Sequence, residues 1–186
     1  MSSSTETHSH KRCTPFDLMT REELLLALEM FARNWLAHDG CWFLAAEESL
    51  GMETAIELDT RAWERFAVTE ANRIMATFEI PAGGGLVALE RALSLRQYSL
   101  INAQRFEWSA DRKRLLFVME ACHVQDIRRR KGLADFPCKS VGTVEFENFA
   151  RTVDSRIRTR CVHCPPDATG AEYCGWEFTL ADTARH

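Results

Sequence analysis

No run of the roughly 20 apolar residues that a bilayer-spanning helix needs occurs in the chain. The opening residues 1–12 are polar and lack the apolar centre of an export signal. Together these absences predict a cytoplasmic protein with no membrane partner. Excess positive charge is missing too: 23 lysines and arginines face 27 aspartates and glutamates, for a net charge of -4. Because affinity for nucleic acid comes mostly from clustered cations on phosphate, no general nucleic-acid partner is expected. Also absent are the phosphate-cradling GxxxxGK, the dinucleotide GxGxxG after a strand, HExxH and GxSxG. Gly83-Gly84-Gly85 follows a predicted helix and Pro81, so it reads as a turn. The cysteine count, seven, is odd, and with no export signal the cysteines read as thiols or metal ligands rather than disulfides.

What is present is material for one core. At 186 residues and 46% hydrophobic, the chain suits a single domain, expected over 16–186 behind a flexible polar tail at 1–15. Thr20 and Glu23 form a capping-box signature ahead of Leu24, Leu25, Leu28, Phe31, Ala32, Trp35 and Leu36, which recur at helical spacing. That first helix is expected to bury one side. Beyond His38-Asp39-Gly40 the stripe continues through Trp42, Phe43, Ala46 and Leu50, which fits a second helix or a kinked one equally well. A long helix is predicted over 52–78 and another over 86–100. The period then changes to two: 105–108 and 115–121 read as a hairpin across 109–112. Short helices are predicted at 124–131 and 138–149, and 156–162 pairs naturally with 173–180. Helices first and a mostly antiparallel sheet later define an α+β domain.

Four cysteines carry the loudest chemical signal: Cys138, Cys161, Cys164 and Cys174. A zinc ion takes four thiolates at about 2.3 Å, and a CxxC turn aims two sulfurs at one point. The expectation is a C-terminal four-cysteine loop holding a structural zinc ion. Reduced cysteines that merely pack are one alternative. An iron-sulfur cluster is another, although its usual spacings are not matched.

Other groups stand out because they interrupt apolar stripes. His38, beside Asp39, breaks one; Asp59 and Glu70 break the next. Buried ionisable groups are paired or functional, so these residues mark either a polar pocket or solvent-touched edges. Trp35, Trp42 and Trp63 would line a pocket or a core alike. Cys122, beside His123, is a candidate nucleophile, although neighbours in a strand point to opposite faces. Gln125 is a candidate ligand contact, and Arg128, in the basic run 128–131, is a candidate contact for a carboxylate or phosphate, with a solvated helix face as the alternative for the run.

The segments N-W-L-A-H-D-G-C-W-F (34–43), D-F-P-C-K-S-V-G (135–142), R-I-R-T-R-C-V-H-C-P-P-D (156–167) and C-G-W-E-F (174–178) together resemble a family of small, uncharacterised cytosolic bacterial proteins, over residues 17–181. That family is distantly similar to the L-2-amino-thiazoline-4-carboxylate hydrolase-like proteins. The cysteine spacing resembles the zinc-bearing ligand-sensing domain of the 4-vinyl reductase type. This second resemblance implies a structural metal near a buried small-molecule pocket, with Cys138, Cys164 and Cys174 in the places of three cysteine ligands. Cys161 stands where those sensors typically have a glutamate.

Two classes of function follow. In the first, a zinc-stapled pocket protein hydrolyses a small carboxylate-bearing substrate, with His38, Asp39 and Asp59 as acid/base groups. In the second, a non-catalytic sensing module buries a small ligand under its helices, with the cysteine loop as a lid. An apolar helix face left over for a homodimer would favour the second.

Overall fold

The computed structural model describes residues 13–167 and 172–181. Two threonine caps open it. Thr14 and Asp17 cap the 3-10 turn Pro15–Leu18, and Thr20 and Glu23 cap α1 (Arg21–Leu50): Thr20 N donates to Glu23 Oε2 (2.8 Å) and Glu23 N to Thr20 Oγ1 (3.2 Å). No break occurs at Asp39-Gly40, and α1 runs straight through for 30 residues. Gly51 then turns the chain at a φ of 82°, a conformation that favours glycine, and α2 (Met52–Thr77) returns alongside α1.

The glycine turn is tied to the far end of the chain. Gly83 N donates to Val153 O, and Gly85 N, which opens α3 (Gly85–Ser94), donates to the buried Asp154 carboxylate at 3.0 Å. Helix α3 is shorter than predicted because Arg96 adopts an extended conformation, after which 97–100 form only a 3-10 turn. Strands β1 (Ala103–Trp108) and β2 (Arg114–Ala121) make the predicted hairpin. They are followed by α4 (His123–Arg130), α5 (Lys139–Val153), β3 (Ile157–His163) and β4 (Cys174–Leu180). The sheet is antiparallel throughout, in the order β1-β2-β4-β3. This is an α+β fold, five helices on a four-stranded sheet.

One face of the sheet supplies Leu115 and Phe117 from β2 and Trp176 and Phe178 from β4, all buried. Against it α5 lays Phe146, Phe149, Ala150 and Val153. Small side chains, Ala67 and Ala71 on α2 and Ala150 on α5, let those two helices approach closely. Helix α1 behaves differently from expectation. It fully buries only Ala32 and Leu36, while Leu24, Leu25, Leu28 and Phe31 stay 38% to 52% exposed. Among the described residues, no helix is long and apolar enough to cross a membrane.

Candidate functional site

Helices α1, α2, α4 and α5 do not close fully on the sheet and leave a cavity of about 430 Å³, within the roughly 300–1,000 Å³ of small-molecule sites. Its lining runs from exposed Cys41 and Lys131 at the surface to fully buried Leu93, Phe117 and Trp176 inside. Most of the wall is apolar: Leu36, Phe43, Met119, Phe136, Val141 and Phe146.

The polar part of the wall carries both signs of charge, with Arg96, Arg128 and Lys131 beside three carboxylates. Asp39 comes from α1, Asp59 from α2 and Glu145 from α5, with Arg96 and Tyr98 beside them. Arg96 is 4% exposed and already has partners: its Nη2 lies 2.9 Å from Glu70 Oε2 and 2.6 Å from Glu145 Oε1, and its Nε donates to Glu70 at 2.9 Å. The guanidinium also lies 5.0 to 5.8 Å from the ring centroids of Trp63, Tyr98, Phe146 and Phe149. Burial raises the Glu145 carboxyl, opposed by Arg96. Asp59 is pushed up to about 7, chiefly by burial and then by the charges of Asp39 and Glu145, against a hydrogen bond from Trp63. Asp39 is also raised by burial, with His38 opposing. Among the described residues, neither aspartate has an arginine or lysine partner.

Asp39, Asp59, Trp63, Cys122, Gln125, Arg128, Cys138, Cys164 and Cys174 all reach the cavity wall. Trp35, His38, Trp42 and Cys161 do not. The reason on α1 is rotation: the inward stripe is Leu36, Asp39, Gly40, Phe43 and Leu44, one residue on from the 35, 38, 42 series, and one residue turns a helix by about 100°. His38 therefore faces solvent and Trp42 is 69% exposed. Trp35 packs behind the wall, stacked on Phe66 at 5.6 Å.

Several of these groups are committed to structure. Gln125 clamps one backbone position, donating to Phe136 O (2.8 Å) and accepting from Phe136 N (2.9 Å). Arg128 binds both oxygens of Glu47 (2.8 and 3.2 Å) and donates to Ala134 O, joining α4 to α1. Arg129 pairs with Asp135 and donates to Tyr173, and Arg130 donates to Asp126 O. Arg128 and Arg129 are thus taken up by carboxylates, whereas the exposed Arg130 has no carboxylate partner among the described residues. The Cys122 thiol is pushed up to about 12, mainly by burial, so it keeps its proton at neutral pH and is a poor nucleophile.

The cysteines gather only in part. Cys138 Sγ and Cys164 Sγ lie 3.4 Å apart, near the roughly 3.8 Å between two sulfurs of a tetrahedral zinc with bonds of about 2.3 Å. Hydrogen bonding with Cys138 and Cys174 pushes the buried Cys164 thiol up, and the same contact with Cys164 pulls Cys138 down. Cys161 stands apart. The expected tight turn over 161–164 is instead the extended end of β3, where Cys161 faces Trp176 across the ladder and the register shifts before His163. Among the described residues, no group of three or more His, Cys, Asp or Glu side chains is set to hold a metal ion. Thiol chemistry suits zinc, but the four-ligand cage expected from the spacing is not assembled. Residues 168–171, in the loop expected to act as a lid, lie outside the described residues.

Sequence reasoning missed Arg96, Tyr98, Glu145 and Trp176. Glu145 carried a usable signal, since it interrupts the stripe Val141, Gly142, Phe146, Phe149 as Asp59 interrupts its own. Arg96 had none, lying just beyond a helix end.

Fold and cavity together define a helices-on-sheet module built around an interior, largely apolar pocket. The chain belongs to a family of unknown function (DUF6125), whose model matches residues 17–180. No curated protein matches it significantly. Among solved structures it is similar to the phenol-responsive sensory domain of the transcription activator PoxR with phenol, at 16% identity and a TM-score of 0.51, over 77% of this chain and 73% of that one. It is also similar to a trafficking protein particle complex subunit 3 from Naegleria fowleri covalently bound to palmitic acid, at 10% identity and a TM-score of 0.49, over 87% and 99% of the two chains. The likenesses to hydrolase-like proteins and to the 4-vinyl reductase type are carried by neither structure.

Proposed function

We propose that the protein is a non-catalytic binding module for a small, largely apolar molecule. The observation that carries this reading is the cavity itself: about 430 Å³ of space lined mainly by aliphatic and aromatic side chains. Two further points support it. Arg128, Gln125 and Cys122 are each held by hydrogen bonds or burial in states unsuited to catalysis, and His38 is not at the wall. The fold is also that of a domain which, in PoxR, responds to phenol. A zinc ion is no part of the proposal: Cys138 Sγ and Cys164 Sγ lie 3.4 Å apart, but among the described residues no three side chains are set to hold a metal ion.

The test uses the neutral apolar dye N-phenyl-1-naphthylamine. Saturable fluorescence enhancement at one site per chain is expected, lost in a Val141→Trp variant that still unfolds cooperatively. Absence of saturable binding to the parent protein would sink the proposal.

A further inference from the structure

Independently of what the cavity holds, we infer that the outward face of α1 is where a second copy of this chain docks, helix against helix. Helix α1 carries two stripes. The inward one, Leu36, Asp39, Gly40, Phe43 and Leu44, lines the cavity. The other, Leu24, Leu28, Phe31, Trp35, His38 and Trp42, alternates steps of four and three residues over about 27 Å of helix. An apolar repeat of 3.5 residues is the seam along which two helices pair. Within the chain that seam is left open: Leu24, Leu28, Phe31 and Trp42 are 38%, 52%, 49% and 69% exposed, and His38 is exposed too. Trp35 alone turns partly inward, onto Phe66. Phe16, from the opening 3-10 turn, folds back to within 5.8 Å of the Phe31 ring centroid and widens the apolar strip.

Area and charge decide the occupant. At these exposures Phe16, Leu24, Leu28, Phe31 and Trp42 leave roughly 500 Å² of surface per chain. A two-fold pairing would therefore withdraw about 1,000 Å² through these side chains alone, the size at which specific interfaces begin, before any polar rim is counted. Singly scattered leucines are normal on a monomer, whereas an aligned strip of this size marks a contact surface. The rest of the chain holds nothing to cover it: residues 1–12, 168–171 and 182–186 contain no apolar side chain larger than alanine except Met1. A lipid surface is a poor match, because helices that lie on membranes carry lysine and arginine on their polar face. Along 21–42 two arginines stand among three glutamates and an aspartate. A second copy offers the same strip in return, as an isologous contact requires. The seam holds no Asp, Glu, Lys or Arg, so pairing with itself sets no like charges face to face.

The experiment is sedimentation velocity on the full-length protein across a concentration series, against a chain mass of 21.3 kDa. The parent is expected to sediment at twice that mass. The Leu28→Glu/Phe31→Glu double variant and, at the other end of the seam, Trp42→Lys are each expected to weaken the dimer at least tenfold. Leu26→Glu is the control: Leu26 is 66% exposed but stands about 200° around α1 from Leu24, so this variant should dimerise like the parent. Every side chain replaced is already about half exposed or more, so folding is not threatened, and a cooperative thermal transition checks each variant. A parent that is still monomeric at about 100 µM overturns the inference, because a contact of this size would be formed there. Flotation of such a monomer with phosphatidylcholine–phosphatidylserine vesicles would assign the strip to lipid instead. A dimer that survives either seam variant, or that Leu26→Glu weakens equally, also overturns it. None of these outcomes depends on dye binding in the cavity, so the inference and the pocket reading stand or fall separately.

Discussion

Asp59 meets Asp39 from α1 and Glu145 from α5 across the cavity, with Trp63 from its own helix donating to it and Arg96 held by other acids nearby. The direction of its pH effect follows. The unfolded carboxyl titrates near 3.8 and the folded one near 7, so between those values the folded protein binds more protons than the unfolded chain. Asp59 therefore favours the folded state least above pH 7, and its contribution to stability falls as pH rises from about 4 to about 7. The Asp59→Asn variant should melt higher than the parent at pH 8, by the equivalent of roughly 1–3 kcal/mol, and close to it at pH 4. A variant that melts lower at pH 8 would mean that the carboxylate makes a stabilising contact. Arg96 predicts the opposite sign. Replacing it by Ala leaves Glu70 and Glu145 buried without a counter-ion, at a cost of about 3–5 kcal/mol in urea unfolding; a loss below about 1 kcal/mol would show that the acids find other partners. At this scale the sequence was informative wherever a charge broke an apolar stripe, as Asp59 and Glu70 did. It misled at His38, because a stripe that can be drawn through 35, 38 and 42 can equally be drawn through 36, 39 and 43.

Elements were easier to read than their faces. The capping box at Thr20, the change of period after residue 100 and the pairing of the last two strands were all legible, since each depends on local chemistry that tertiary packing did not override. The place of β4 between β2 and β3 was not, because strand order depends on contacts distant in sequence. Likewise, Cys161-Val-His-Cys164 looked like a metal-binding turn, yet β-ladder pairing with β4 extends it. The glycine turn was legible as a turn but not as a junction. Asp154 accepts from Gly85 N, Arg156 N and the Arg156 guanidinium, and these bonds hold its carboxyl down at about 2. Asp154→Ala should cost about 2–3 kcal/mol at pH 7. For the parent, the share of stability due to Asp154 is present above pH 4 and lost as pH falls from about 4 to about 2. Equal unfolding of parent and variant at pH 7 would show the junction to be dispensable.

On the scale of the whole molecule, the sheet, α2, α3 and α5 form the solid part of the core, while α1 leans on it through few buried residues. The Arg128 pair with Glu47 and its bond to Ala134 O fasten the far side of α1 across the cavity mouth. Arg128→Met should loosen that side selectively. Amide hydrogen exchange is expected to quicken in α1 around Glu47 and in α4, and to stay unchanged in α5 and β4; uniform quickening would indicate global destabilisation instead. Ligand occupancy has a matching global effect: at a hundred times its dissociation constant, a bound molecule adds about 2.7 kcal/mol to stability. The empty space also makes this domain compressible. Because unfolding eliminates internal void, hydrostatic pressure favours the unfolded chain in proportion to the space removed. The midpoint of pressure unfolding, followed by tryptophan emission, should therefore rise sharply once the cavity is filled, making pressure a gauge of occupancy that works without knowing the ligand's identity.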